Sequence, residues 1–236
     1  MVRASDTLRI PVPLVLTRPD RLPLTSFTRR EQRLIAACRT PRALQRWLRA
    51  LPYNRERRGE SLRSFRGAVA RGRAHCLEAV LVAATVMHQR DWPPLVLDLE
   101  SQDGLDHVLW LYQVAGRWGT VARSRDEGLH GRPAVYPTVR ALAESYLDPY
   151  VDATGRIVGY GVADLDQLTR VDWRFAPGDV WGVERALIRM PHRRLRMPER
   201  RYQDVLARYL DFTARWGKPT ARTVRRLYGA QVDGWW

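Results

Sequence analysis

A cysteine, Cys76, stands at the head of the apolar run CLEAVLVAATVMH, and a histidine, His107, opens the alternating run HVLWLYQV. A thiol in the first turn of a helix meets unpaired backbone N–H groups and the positive end of the dipole, which favour its thiolate. An imidazole held rigidly on a strand can take the thiol proton and later return one to a leaving amine. Such a site also needs a polar group that fixes the tautomer of the ring. A two-residue turn at Gly116–Arg117 would set Asp126 directly across from His107, with Cβ atoms about 5 Å apart. A three-residue turn would bring Arg125 there instead, and Ser124 is the second candidate for the orienting role. The backbone N–H of Cys76 is positioned to donate to a developing oxyanion.

The elements that must position these groups can be read from periodicity. Residues 77–86 are apolar on nearly every side, so the helix that Cys76 opens should be central and buried. Residues 95–100 have strand character. The following hairpin puts His107, Leu109 and Leu111 on one face, and Asp106, Val108, Trp110 and Tyr112 on the other. Upstream, Thr28 and Glu31 make a capping box, with Leu34, Ile35 and Cys38 on the buried face behind it. Pro41 suits the first turn of a second helix striped by Leu44, Trp47, Leu48 and Leu51. Downstream, TVRALAESYL reads as a helix and Thr154–Arg156 as a turn. The last long helical stretch carries Leu206, Tyr209, Leu210 and Thr213 on one side. Helices first, antiparallel strands second and helices last define an α+β chain. Residues 1–58 form an extended segment with helices, 59–165 the core, and 166–236 a basic helical extension packed on it.

At these residues the sequence resembles a family. GRAHCLEAVLVAATVMH followed by DHVLWLYQVAGRWGTV is similar to the transglutaminase-like superfamily, whose fold is papain-like. The continuation SRDEGLHGRPAVYPTVRALAESYLDPYVD resembles a bacterial subgroup of it, so the likeness spans residues 67–151. The resemblance implies that Cys76 opens the core helix, His107 begins a strand, and a Gly–x–Trp turn leads to an aspartate-bearing strand. Cys76 and His107 match that pattern, whereas Ala122 stands where the family usually has the aspartate. The leading expectation is a cysteine enzyme acting on an amide of a protein or peptide, by hydrolysis or acyl transfer, with no metal and no organic cofactor. Ala122 supports the alternative, an inactive relative that binds peptides in the same groove.

Other polar residues read more blandly. His75 adjoins Cys76 but points elsewhere on the helix, toward a pocket or the surface. His88 suits the negative end of its helix, and His130 and His192 lie in basic stretches without evident partners. Asp106 faces away from His107, while Asp98 is expected either to pair with an arginine or to lie near the site. No spacing fits a zinc site, and GRPAVYPTVR lacks the glycines and lysine of a phosphate loop.

Composition bounds the rest. With 45% apolar and 28% charged residues over 236 positions, the chain has the balance of a soluble globular protein. No apolar run is long enough to span a bilayer, and Pro11 and Pro13 interrupt the only stretch placed like a signal peptide. A cytoplasmic location is the default expectation, and two cysteines are too few for a disulfide framework. A formal charge of +15 invites a nucleic-acid partner, but Lys218 is the only lysine and no recognition motif accompanies the arginines. That third reading rests on charge alone.

Overall fold

The computed structural model describes residues 21–56 and 59–236. The stretch through Pro11 and Pro13, and Arg57 and Arg58, lie outside the described residues. In chain order the elements are α1 (Arg29–Ala37), α2 (Pro41–Ala50), α3 (Phe65–Arg71), α4 (Cys76–His88), β1 (Leu95–Ser101), β2 (His107–Val114), β3 (Arg117–Val121) and β4 (Arg132–Tyr136). There follow α5 (Val139–Glu144), α6 (Leu147–Tyr150), β5 (Ile157–Asp164), α7 (Leu165–Leu168), α8 (Trp181–Arg189), β6 (Arg193–Arg194), α9 (Glu199–Trp216) and α10 (Val224–Tyr228). The strands form one open antiparallel sheet in the order β4-β3-β2-β1-β5-β6. The architecture is α+β.

Side-chain alternation along β2 divides the core in two. Val108, Trp110 and Tyr112 join Val96 of β1 against α4 and the amino-terminal helices. Leu109 and Leu111 join Leu97 and Leu99 beneath α5, α6 and Val205 of α9. A sheet covered on both faces has no solvent side, which is why β1 is buried at every position but Glu100. Helix α4 is buried at every position from Leu77 to His88. Its amphipathicity is therefore weak, and its place in the fold follows from burial on all sides.

Local chemistry starts and stops these helices. Thr28 Oγ1 accepts from the Glu31 N–H at 3.3 Å, and Glu31 Oε2 accepts from the Thr28 N–H at 2.7 Å, closing the capping box. Pro41 occupies the first turn of α2, capped by Thr40. Ser64 caps α3, a helix that the sequence reading did not pick out, and Gly72 ends it at φ 66°.

The extension after residue 165 is more than helical. Arg193 and Arg194 add an edge strand to β5, and Trp173, Val180, Val183 and Leu187 enter the core. In α9 the buried residues are Val205 and Phe212, whereas Leu210 is exposed, so the expected stripe is rotated.

The hairpin register corrects the sequence reading. Val114 pairs with Arg117 and Trp110 with Val121, so the turn is Ala115–Gly116 rather than Gly116–Arg117. Both turn residues have positive φ, 47° and 75°, as a two-residue turn of type I′ demands. The glycine sits second, and an alanine tolerates the strained first position. Replacing that residue by asparagine, which enters the left-handed region readily, should stabilise the hairpin. Ala115→Asn is expected to raise the unfolding free energy in urea by about 0.5–1 kcal/mol; a loss of stability would contradict this turn assignment.

Candidate active site

Cys76 is the first residue of α4, and the elements around it are pinned by one buried carboxylate. Glu78 accepts from the His75 N–H at 3.0 Å, from the Arg63 N–H at 3.0 Å and from Asn54 Nδ2 at 3.1 Å. These bonds tie the helix head to the segment containing Tyr53. A parallel bridge between Tyr53 and Ala74 brings that tyrosine alongside the approach to the helix. The Tyr53 hydroxyl lies within hydrogen-bonding reach of the Cys76 backbone N–H.

The structure brings Cys76 and His107 together. By alternation His107 belongs to the Leu109 face, but as the first residue of β2 it sits at the end of the sheet, within reach of the thiol. Its Nε2 donates to the Leu129 carbonyl at 2.7 Å. A carbonyl can only accept, so Nε2 carries a proton, and Nδ1 faces the sulfur, whose proton it takes to form a thiolate–imidazolium pair. The thiol also meets His75, whose Nε2 is engaged by the Ser61 carbonyl at 2.9 Å, leaving Nδ1 for the sulfur.

Opposing effects set the charge of this cluster. Burial pushes the Cys76 thiol up, but hydrogen bonds from His107 and His75 and their positive charge outweigh it, bringing the thiol down to about 6. Burial also works against a charged His75, and the hydrogen bond and charge of Cys76, with Glu78 and Glu56, lift it to about 9. The sulfur is therefore held as a thiolate near neutrality, beside two imidazoles. Cys38, buried in the apolar core without such partners, is pushed up to about 11.

Neither residue expected to orient His107 does so. Asp126 pairs with Arg125 at 3.3 Å and Lys218 at 3.6 Å, and Ser124 Oγ accepts from the Asp126 N–H at 3.1 Å. The physical reason lies at Ala122. Gln45 donates to the Ala122 carbonyl at 2.8 Å and accepts from its N–H at 2.9 Å, so this backbone bonds a side chain instead of extending the β2–β3 pairing. The chain then leaves the sheet and returns through a short 3-10 turn, Glu127–Leu129, that offers a backbone carbonyl to the ring.

That carbonyl is held by a residue the sequence reading passed over. Arg132 is fully buried, donates to the Gly128 carbonyl at 2.7 Å and the His130 carbonyl at 2.9 Å, and so clamps both sides of Leu129. Its guanidinium is sandwiched between Trp235 at 3.8 Å and Tyr146 at 4.2 Å. Tyr146 in turn donates to the His130 carbonyl at 3.0 Å and bonds Thr120 at 2.6 Å. An arginine in a basic chain gives no sequence signal of such a role, and a main-chain carbonyl gives none at all.

His192 and His130 do have partners, which the sequence reading missed. His192 Nε2 bonds Asp98 at 3.1 Å, so Asp98 is paired with a histidine and not an arginine, and His130 lies 3.8 Å from Glu127. A cleft of about 500 Å³ opens over Cys76 and His107 and is also lined by Tyr53, Ser124 and Asp126. Among the described residues no group of His, Cys, Asp and Glu side chains could hold a metal ion. Among the described residues, too, no helix is long and apolar enough to cross a membrane. Compared with protein-family models and with curated proteins, the chain finds no match.

Alkylation separates the two cysteines. Iodoacetamide should modify Cys76 with a rate that rises with pH and levels off above about 6, while Cys38 stays unmodified at neutral pH. Peptide mapping after timed labelling measures both. A Cys76 profile still climbing through pH 9 would contradict the thiolate. Arg132→Lys, which cannot bridge the two carbonyls, is expected to lose about 2 kcal/mol in chemical denaturation; unchanged stability would contradict the clamp.

Proposed function

We propose that this protein is a cysteine enzyme of the transglutaminase-like, papain-like class, which takes the acyl group of an amide onto Cys76 and passes it to water or an amine. One observation carries the reading: the thiol at the head of a buried helix faces an imidazole whose other nitrogen is bound by the Leu129 carbonyl. The order of elements supports it, with a buried helix packed on an antiparallel sheet whose second strand begins with the histidine.

The sulfur attacks the carbonyl carbon, and the carbonyl oxygen gains the charge. The Cys76 N–H, which faces the Tyr53 hydroxyl in the free protein, turns to that oxygen, and the hydroxyl rotates to donate beside it. His107 then gives its Nδ1 proton to the departing amine, the C–N bond breaks, and a thioester remains on Cys76. Water or an amine, deprotonated by His107, attacks the thioester and releases the thiolate. Throughout, the Leu129 carbonyl keeps Nε2 protonated, which orients the ring without a carboxylate. His75 stabilises the thiolate electrostatically and is too firmly protonated near neutrality to act as the base.

A second reading, a peptide-binding protein without catalysis, is favoured by one observation: among the described residues no carboxylate bonds His107, and Ala122 is buried in the core. Acylation distinguishes the two. With p-nitrophenyl acetate the enzyme reading predicts a burst of p-nitrophenolate and a transient acetyl group on Cys76, seen by mass spectrometry. His107→Ala should abolish turnover, and Tyr53→Phe should slow it about a hundredfold. Binding of the ester without an acetyl-Cys76 species would leave the non-catalytic reading standing.

A further inference from the structure

The chain as a whole carries a formal charge of +15, yet the cleft over Cys76 has the opposite sign. Among the described residues that line it are nine carboxylates and a single guanidinium, Arg125, which is already paired with Asp126. Asp98 of β1, Asp106 just before β2 and Glu184 of α8 are three of these carboxylates. Asp98 pairs across the strands with Val108 and so projects from the face that α4 covers. It is 1% exposed, and while its Oδ2 bonds His192, its Oδ1 has no hydrogen-bond partner among the described residues. Gly161 opposite it leaves the room for that histidine, since a Cβ there would come within 3.1 Å of the ring.

Two further carboxylates line the same cleft. Asp106 accepts from the Ser101 N–H at 2.7 Å through Oδ1, and among the described residues no cation lies within ion-pair distance of it. Burial raises its pKa, and repulsion from Asp98 and Glu100 adds to that, with the Ser101 N–H and the charge of His192 opposing. Glu184 of α8 lines the same cleft, also without an ion pair among the described residues. A buried carboxylate oxygen without a donor is costly to keep. Asp98 lines the cleft beside like charges while this oxygen itself is closed off from solvent, so a cation in the cleft would offset the charge of the carboxylate rather than bond that atom.

We propose that Asp98, Asp106 and Glu184 form a subsite for a cationic side chain of the substrate, an alkylammonium or a guanidinium. The subsite rests on the reading of Cys76 as the nucleophile and names the substrate class of that site: peptides with a basic residue near the amide to be attacked. The negative cleft reverses the long-range repulsion that the rest of this basic protein exerts on such a peptide.

Charged thiol reagents test this on the intact protein without a known substrate. The probes are trimethylammonioethyl, sulfonatoethyl and uncharged methyl methanethiosulfonate, each rate at Cys76 being divided by that of 2-mercaptoethanol. The normalised rate for the cation should exceed that for the sulfonate on the order of tenfold at low ionic strength, and the preference should shrink in high salt. Asp106→Asn and Glu184→Gln should each lower the cation-to-uncharged ratio about threefold. Glu199→Gln, on exposed α9 and outside the cleft, should leave that ratio at the parent value. A fast uncharged reaction with no preference for the cation would overturn the subsite alone. A slow uncharged reaction at Cys76 would overturn the nucleophile and the subsite with it.

Discussion

A thiolate at the half-buried head of a helix is unstable unless positive charge and donors surround it. Around Cys76 they come from three directions: the N-terminal turn of α4, the imidazole of His107, and the imidazole of His75. Desolvation works against the charged sulfur, and the two rings win, bringing it to about 6. Much of the surrounding structure serves to keep those rings in place. Glu78 binds the helix head to the Asn54 side chain and the Arg63 backbone, the Ser61 carbonyl holds His75, and the Leu129 carbonyl holds His107.

The last of these holds is the unusual one. A carboxylate orienting a catalytic imidazole also stabilises its cation, whereas a carbonyl mainly fixes tautomer and direction. Here the neutral acceptor is compatible with a thiolate because His75 supplies charge that the orienting group does not. The cost is transferred to the loop, where three consecutive peptide units must be kept in register. Arg132 meets that cost by bridging the Gly128 and His130 carbonyls from inside the core, with aromatic faces on both sides instead of a carboxylate.

Much of the framework was legible in the residues themselves. The Thr28–Glu31 capping box, Pro41 in the first turn of α2, the all-round apolarity of residues 77–86 and the alternation of HVLWLYQV each correspond to an element or a face of the structure. These signals are local, so the sequence carries them openly. What it hides depends on long-range partners. The β2–β3 register turned on an alanine accepting positive φ, and the pairing ended where Gln45, from α2, captured the Ala122 backbone. The ring orienter is a main-chain atom, and Tyr53 reaches the helix head only through its bridge to Ala74. Side-chain identity could point to Cys76 and His107 but had no means of pointing to Leu129.

The tautomer of His107 is the most direct measure of this arrangement. In protein labelled with nitrogen-15, long-range correlation spectra of the imidazole above neutral pH report which ring nitrogen bears hydrogen. The account predicts a proton on Nε2, directed at the Leu129 carbonyl, and an Nδ1 shift that responds when Cys76→Ser removes the sulfur. A proton on Nδ1 with a bare Nε2, insensitive to that substitution, would contradict it.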